Sequence, residues 1–258
     1  MDIILYNILA GFICVIIGYF FGSIPFSIII GKVFFKKDPR DYGSKNAGGT
    51  NCMRVFGKGW GILVICLDAL KTVIPVWMCF LIMTYAKFGG QTLLPDVRTW
   101  LETGVDAYTI KYPAYWLAAA GVTLGHCYPV FAGFKGGKGA SNIWGLLFTT
   151  SWMHLLMPMA AFFIVMKKTK YMSLSVLVSH LIATITQWTI TILILTHVLP
   201  SWFVWFQGYG PTLYLCLTSS IVYTFCFLMM VIRHKANIQR LMNGTERKMG
   251  EKVETASN

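Results

Sequence analysis

Long apolar stretches separated by short basic loops dominate this chain of 258 residues. Hydrophobic residues make up 56% of it and charged residues only 12%, whereas soluble domains carry roughly 25% charged residues. Several of the stretches reach the roughly 20 residues that a helix needs to cross a bilayer. Because a soluble core cannot use so much apolar sequence, the chain is predicted to be an all-α polytopic membrane protein.

The distribution of basic residues predicts the topology. Lys and Arg concentrate at 36–58, at 133–139, at 167–170 and in the tail from 233 onward, and the positive-inside rule places all four regions in the cytoplasm. A single crossing by the apolar stretch 140–166 would leave the third basic region outside. We therefore predict that this stretch forms a hairpin of two half-length helices, with a turn among Ser151, Trp152, His154 and Pro158.

This hairpin completes a topology of seven transmembrane helices, two of them short. The other five cover about 3–35 (interrupted at Ser23-Ile24-Pro25), 60–85, 112–131, 174–198 and 209–232. The N-terminus is expected outside and the C-terminus in the cytoplasm. Residues 1–247 are predicted to form a single membrane domain, and 248–258 a polar, disordered tail.

The net charge of +12 has two readings, a nucleic-acid surface and basic loops held on one membrane face. The second fits the clustering of the charges, so no nucleic-acid partner is predicted. The seven cysteines are scattered singly with no C-x-x-C pair, and the five histidines are dispersed with few acidic neighbours. No metal site and no cofactor are therefore predicted.

A glycine- and lysine-rich loop, Gly133–Gly139, separates two apolar stretches. Glycines let main-chain N–H groups approach an anion, and Lys135 and Lys138 add positive charge. The loop departs from the G-x-x-x-x-G-K-[ST] motif, because Gly139 follows Lys138. A phosphate site and a plain basic turn beside the membrane both remain open at this point.

Two further polar groups are expected on the same membrane face. The segment 41–51 is rich in small, amide and hydroxyl residues, and Arg54 behind it can hold a phosphate with two hydrogen bonds. At the end of the last span, His234 and Asn237 are three residues apart and share one helical face. An ordinary turn-rich loop and an ordinary charged helix end are the alternatives.

Asp68 and Lys71 lie within the second span, where charged residues are costly and usually meaningful. Their i, i+3 spacing favours an internal ion pair over a catalytic role. Together with the basic face, they also motivate an alternative function, a membrane transporter of an organic phosphate. No inverted repeat of the kind found in such carriers is visible.

Several motifs together resemble one enzyme family over about residues 18–247. The matching segments are Gly22–Phe26, Gly43–Asn46 with Thr50, Asn51 and Arg54, Leu67–Lys71, Gly125–Phe131 continued by Gly133–Gly139, and Arg233–Asn237 with Arg240, Leu241, Gly244 and Glu246. The chain thereby resembles the bacterial acyl-phosphate-dependent glycerol-3-phosphate acyltransferases, the PlsY family.

The resemblance implies transfer of a fatty acyl group from acyl phosphate to the 1-hydroxyl of sn-glycerol 3-phosphate. The products are lysophosphatidic acid and phosphate, and a substrate phosphate, not a protein base, takes the hydroxyl proton. It also implies a bacterial plasma membrane, contact with membrane lipids and an active site on the cytoplasmic side.

The resemblance further assigns roles to individual residues. His234 and Asn237 are expected near the reacting carbonyl, and Arg54 at the glycerol phosphate. Glu246 is expected to be structural. The full set expected to bind substrates is Ser44, Asn51, Arg54, Gly136, Gly137, Lys138 and Gly139.

Four features depart from the family pattern. Lys45 replaces a usual glycine, Gly49 replaces a usual alanine, and Val176 stands where a serine is common. The loop 86–111 is longer than usual. Lys45 adds charge beside the proposed phosphate site, and its effect on substrate affinity stays open at this point.

Overall fold

A computed structural model describes residues 3–87, 89–90, 92–94, 113–150, 152–196, 198 and 213–251. Within this part of the chain there are α-helices and short 3-10 turns but no β-strand. The helices are α1 (Ile3–Gly22), α2 (Phe26–Phe35), α3 (Gly49–Phe56), α4 (Lys58–Tyr85), α5 (Leu117–Cys127), α6 (Ala140–Thr150), α7 (Trp152–Thr169), α8 (Met172–Leu195), α9 (Leu213–Arg233) and α10 (Lys235–Met242).

Within the residues that the structure describes, three spans are long and apolar enough to cross a membrane, namely Leu5–Phe35, α4 and α8. A fourth is counted if Leu217–Arg233 and Lys235–Met242, which meet at a 60° bend, form one span. Large apolar side chains such as Phe12, Ile16 and Phe163 are exposed on the helix surfaces. These observations confirm an all-helical fold with membrane-spanning helices, whereas the number seven and the orientation of the termini stay predictions.

The predicted interruption of the first span is confirmed. Helix α1 ends at Gly22 and α2 begins at Phe26, with Ser23, Ile24 and Pro25 between them. The proline has no N–H to donate and restricts the residue before it, so a helix break at this point follows directly from the sequence.

The stretch 140–166 does contain two helices, but they divide it unequally. Helix α6 has 11 residues and ends at Thr150, α7 has 18 and begins at Trp152, and residue 151 lies outside the described residues. The boundary between the helices thus falls at the start of the segment predicted to turn, whereas Pro158 at its end lies inside α7. That α6 and α7 form a re-entrant or short hairpin in the membrane stays a prediction.

Helices α1 and α5 pack with their main chains in direct contact. A Cβ atom built on Gly18 or Gly22 would lie 2.0 or 2.2 Å from a carbonyl oxygen of α5, and one on Gly121 or Gly125 would lie 2.2 or 2.1 Å from a carbonyl oxygen of α1. Each helix thus contributes a G-x-x-x-G pair, the small-residue pattern that allows close helix approach in membranes. The contact brings the end of α5 next to the break between α1 and α2.

The chain termini and the long loop are described only in part. Residues 95–111 of the loop 86–111 lie outside the described residues, as do residues 252–258. The N–H of Met249 donates to the carbonyl of Lys170 at 2.7 Å, so the chain just after residue 247 lies against the start of α8. The domain boundary at 247 stays a prediction.

Candidate active site

A cavity of about 350 Å³ opens where four segments of the chain meet beside Asp68 of α4 and His126 of α5. The four segments are the 43–54 segment, the beginning of α6, the beginning of α8, and the junction of α9 and α10 with residues 246–247. The three polar groups predicted to share one face thus do meet. Of the nine predicted site residues, those that line the cavity are Ser44, Asn51, Arg54, Lys138, Gly139, His234 and Asn237.

Asn237 links a cation and an anion inside the cavity. Its Oδ1 accepts a hydrogen bond from the Lys138 ammonium group, and its Nδ2 donates to Glu246 Oε1 at 2.7 Å. Because both ends of its amide are fixed, Asn237 orients the Lys138 side chain, although the two residues are 99 positions apart in the sequence. The Lys138 charge therefore has a defined place in the cavity wall.

Glu246 organises this wall. Its carboxylate accepts hydrogen bonds from Asn237, from Ser173 Oγ at 2.9 Å and from Arg240 Nε at 2.8 Å. Burial raises the pKa of the Glu246 carboxyl, but these three donors outweigh burial and hold the pKa below its usual value. The Glu246 carboxylate thus accepts hydrogen bonds from three protein donors, which supports the structural role expected for Glu246.

His234 presents one unused ring nitrogen. Its Nδ1 lies 2.8 Å from the carbonyl oxygen of Met230, which can only accept, so Nδ1 carries the proton. In the neutral ring Nε2 is then an acceptor, and no hydrogen-bond partner for it occurs among the described residues. Because His234 lines the cavity, Nε2 is suited to accept a hydrogen bond from a substrate hydroxyl.

Asn51 fixes the conformation of the 39–44 loop, which precedes it in the sequence. Its Oδ1 accepts from the main-chain N–H of Ser44 at 2.8 Å, and its Nδ2 donates to the carbonyls of Pro39 and Tyr42 at 2.7 and 3.2 Å. The side chain is 1% exposed, so these bonds use its polar atoms in full. Its expected contact with substrate stays a prediction; the structure gives it a role in shaping the 39–44 loop.

Arg54 contributes charge without a protein counterion. It takes part in no ion pair among the described residues, and neither do Lys45, Lys138 and Arg247, which line the same cavity. Burial and the neighbouring Arg247 lower the pKa of Arg54. The two acids of the lining, Asp68 and Glu246, are already paired with Lys71 and Arg240 at 2.9 and 2.8 Å. The cavity is thus set up to receive anions.

Gly136 and Gly137 do not line the cavity but lie behind its wall. The N–H of Gly137 donates to the carbonyl of His126 at 3.0 Å. The Arg233 guanidinium donates to the carbonyls of Gly137 and Gly136 at 3.3 and 3.4 Å. Their direct contact with a phosphate stays a prediction, while the structure shows them packed against the end of α5.

Arg40 is a site-shaping residue that sequence reasoning missed. Its guanidinium pairs with Asp38 at 2.8 Å and donates to the carbonyl of Ala132 at 2.9 Å. It thereby ties the loop after α2 to the glycine–lysine loop more than 90 residues later. Nothing local in the sequence marks this contact, although D-x-R after a helix end is compatible with a fixed turn.

A family model described as glycerol-3-phosphate acyltransferase matches residues 12–244. This chain belongs to the glycerol-3-phosphate acyltransferase family. Curated members share 36% identity over 253 residues in Halalkalibacterium halodurans (95% of this chain, 98% of the relative) and 34% over 237 residues in Enterococcus faecalis (92% and 91%). The resemblance predicted from the motifs is confirmed, and the chain is an acyltransferase.

Solved structures of the acyltransferase family share the fold. The crystal structure of PlsY, an integral membrane glycerol 3-phosphate acyltransferase, in its glycerol 3-phosphate form matches with a TM-score of 0.64 and 27% identity, covering 93% of this chain and 96% of PlsY. Its lysophosphatidic acid form matches with a TM-score of 0.63. The acyltransferase described here is thus a membrane protein with the architecture of PlsY.

Asn237→Ala is expected to lower the kcat/KM of the acyltransferase by about 10- to 100-fold, since each hydrogen bond to a charged group contributes about 1.5–3 kcal/mol. The variant removes the acceptor of Lys138 and a donor of Glu246 together. The matched control is Asn243→Ala at the opposite, C-terminal end of α10, a residue that is exposed and outside the cavity. Equal activities of the two variants in a steady-state assay would contradict the role of Asn237.

Lys45→Gly is expected to have opposite effects on stability and on binding. Lys45 has φ of 55°, in the left-handed region, which costs an L-residue about 1–2 kcal/mol and glycine little. We expect a higher melting temperature together with a several-fold higher KM for glycerol 3-phosphate, because an exposed cation at the cavity is lost.

Lys45→Arg is the control for this variant, since it keeps both the charge and the left-handed residue. Thermal unfolding in detergent and steady-state kinetics measure the two effects separately. An unchanged KM in Lys45→Gly would show that this charge does not reach the substrate.

Proposed function

We propose that this enzyme transfers a fatty acyl group from an acyl phosphate to the 1-hydroxyl of sn-glycerol 3-phosphate, giving lysophosphatidic acid and phosphate, the first step of phospholipid synthesis. The observation that carries the proposal is a single cavity with four cations that form no ion pair with any described residue, Lys45, Arg54, Lys138 and Arg247. Two phosphate-bearing substrates supply the anions that such a cavity lacks. Membership of the glycerol-3-phosphate acyltransferase family supports the acceptor.

The two anionic substrates are assigned to opposite sides of the cavity. Arg54 and its neighbour Arg247 hold the phosphate of glycerol 3-phosphate, since a guanidinium can bind it through two hydrogen bonds. Lys138 and Gly139, together with the N-terminus of α6, hold the phosphate of the donor, because a helix N-terminus favours anions. Ser44 lines the same cavity and adds a hydroxyl.

His234 and Asn237 then act near the reacting atoms. His234 Nε2 accepts a hydrogen bond from a glycerol hydroxyl and aims the oxygen at the acyl carbon. The Lys138–Asn237 pair keeps positive charge where the carbonyl oxygen becomes negative in the transition state. Gly136 and Gly137 support the donor phosphate through the position they give to Lys138.

The reaction requires little activation of the attacking hydroxyl by the protein. The hydroxyl oxygen bonds to the acyl carbon, the bond from that carbon to the phosphate oxygen breaks, and inorganic phosphate leaves with the electron pair. A substrate phosphate takes the hydroxyl proton. Since phosphate is a good leaving group, holding the reactants together supplies most of the rate, and such positioning is worth up to about 7–11 kcal/mol.

We also propose that the enzyme lies in a bacterial plasma membrane with its cavity toward the cytoplasm. The relatives described above are bacterial, and the basic loops that build the cavity follow the positive-inside rule. The fatty chain of the donor lies among the membrane lipids around the exposed apolar helix faces. This position lets a water-soluble acceptor meet a lipid donor.

The alternative of an organic-phosphate transporter is not favoured by the site. The two charges that motivated it, Asp68 and Lys71, are 2–3% exposed and bonded to each other at 2.9 Å. A pair that is mutually neutralised in the interior offers no free charge for a moving ion.

The deciding experiment uses purified enzyme in detergent and labelled sn-glycerol 3-phosphate, with palmitoyl phosphate or palmitoyl coenzyme A as donor. Lysophosphatidic acid from palmitoyl phosphate alone is the expected result. Product from the coenzyme A ester alone would mean that the proposed donor is wrong. Product from neither, with uptake of the label into sealed liposomes, would favour the transporter.

A pH profile tests the assignment of Lys138. Burial, with the charges of Arg240 and Arg54 nearby, lowers the pKa of Lys138 to about 8. In the free enzyme the ammonium form is therefore lost as the pH rises through 8, and the KM for palmitoyl phosphate is expected to rise between pH 7 and 9.5. Phosphate groups stay fully ionised over this range, since their second pKa is about 6.

Lys138→Arg is the control for the profile, because a guanidinium stays charged throughout this range. Its KM is expected to be flat with pH even if its activity is lower. A flat profile for the unmodified enzyme would show that Lys138 does not bind the donor in its charged form.

A further inference from the structure

Three ionisable side chains meet in the protein interior next to the cavity. Asp68 and Lys71 come from α4 and His126 from the end of α5, and they are only 2%, 3% and 6% exposed. Lys71 Nζ lies 2.9 Å from Asp68 Oδ1, and His126 Nδ1 lies 3.7 Å from the same oxygen. Asp68 and His126 also reach the cavity surface, whereas Lys71 does not.

Lys71 fixes this cluster to the main chain. Besides its ion pair, Nζ donates a hydrogen bond to the carbonyl of Ile24 at 3.1 Å, within the break between α1 and α2. That carbonyl belongs to a non-helical segment and also accepts the main-chain N–H of Phe26 at 3.2 Å, so Lys71 is its second donor. Lys71 thus holds Asp68 at a constant place relative to α1, α2 and α4.

His126 connects this cluster of ionisable side chains to the glycine–lysine loop. Its carbonyl accepts the N–H of Gly137 at 3.0 Å. Its ring lies against the same residue, since a Cβ atom on Gly137 would be 2.1 Å from Nε2. The next residue is Lys138, whose ammonium group enters the cavity and bonds to Asn237.

We propose that Asp68 and His126 are positioning residues for donor binding. Lys71 fixes Asp68, and the Asp68 carboxylate orients the His126 ring. His126 in turn sets the main chain at Gly137 and thereby the place of Lys138. The 3.7 Å separation exceeds a hydrogen bond, so the charge of the carboxylate acts on the dipole of the imidazole ring. The proposal rests on the proposed function, in which Lys138 binds the donor phosphate. A simpler role, in which the ion pair only stabilises the fold, makes a different prediction.

The double variant Asp68→Asn with Lys71→Met separates the two roles. It removes both charges at nearly constant volume, so no unpaired buried charge is left, and such neutral replacements of buried pairs are often tolerated. We expect a melting temperature close to that of the unmodified enzyme, a KM for palmitoyl phosphate raised at least about 10-fold, and a KM for glycerol 3-phosphate changed less than about twofold. Unchanged KM values for both substrates would overturn the proposal in favour of a purely structural pair.

His126→Asn keeps the Asp68–Lys71 pair and provides a second test should the double variant fail to fold. It is expected to raise the same KM selectively, and combined with the double variant it should add little, because both act through one path. An unchanged KM for palmitoyl phosphate in His126→Asn, or fully additive effects, would overturn the proposal. Failure of the proposed function itself is distinguishable, since the unmodified enzyme would then make no lysophosphatidic acid from palmitoyl phosphate.

Discussion

Lys138→Ala is expected to lower kcat/KM at least about 100-fold, the largest effect of any single side chain in the cavity, since removing one preorganised donor to developing charge costs about 10²–10³ in rate. The variant removes the cation that Asn237 aims into the cavity. Both donor binding and stabilisation of the transition state are lost together, so kcat is expected to fall and KM to rise. Steady-state kinetics with palmitoyl phosphate measure the two constants.

Lys135→Ala is the matched control, because Lys135 lies in the same loop, is exposed and does not line the cavity. It is expected to retain activity within about twofold, since exposed charges contribute little. If Lys138→Ala kept more than a tenth of the normal kcat/KM, or if both lysine variants lost activity equally, the loop would contribute only its general charge.

Gly136→Ala is expected to have the second largest effect. A Cβ atom on Gly136 would lie 2.0 Å from the carbonyl oxygen of His126 and 2.5 Å from Pro129 Cδ. Neither neighbour is the end of a flexible side chain, so the loop itself has to move away from α5. A shift of about 1 Å at a reacting site costs about 100-fold in rate, and we expect a loss of that size.

Gly59→Ala provides the control for the added methyl group, because no atom lies within 4 Å of a Cβ at that position. Activity and melting temperature are measured for both variants in the same detergent. Gly136→Ala is expected to lose activity and also to melt earlier, since overpacking costs about 1–3 kcal/mol. Normal activity with a lowered melting temperature would show that the loop can move without disturbing Lys138.

Gly136 and Gly137 show that the absence of a side chain can serve two different purposes in the same loop. Their lack of side chains predicted a main chain open to a phosphate, but the structure uses the same property to pack the loop against His126. Both uses require a residue without Cβ, so composition alone does not separate them. The difference depends on which helix lies behind the loop.

Asn51 and Glu246 make the same point for polar side chains. An amide and a carboxylate near a basic site are each compatible with substrate binding or with structure. The structure shows a structural use for each: Asn51 bonds to Ser44, Pro39 and Tyr42, and Glu246 to Ser173, Asn237 and Arg240, while contact of Asn51 with substrate stays a prediction. Such partners cannot be read from spacing, because they come from other helices and loops.

The sequence by itself determined the properties that are local or additive. Hydropathy sums along the chain, so the apolar stretches predicted a helical membrane protein, and Pro25 predicted the break between α1 and α2. The specific run Gly125–Gly139, with the motifs around it, was enough for the family. Charge clustering was enough to expect that three distant polar groups share one face.

Only the tertiary structure decided how these groups meet. The decisive contacts join residues that are far apart in sequence or lie on different elements. They are the glycine contacts between α1 and α5, the Arg40 and Arg233 bonds to the glycine–lysine loop, and the hydrogen bonds that link Lys138, Asn237 and Glu246. Hydrophobic periodicity states which face of a helix is apolar but not which helix covers it. The cavity of this acyltransferase therefore depends on helix packing, through bonds whose two partners carry no mutual signal in a single sequence.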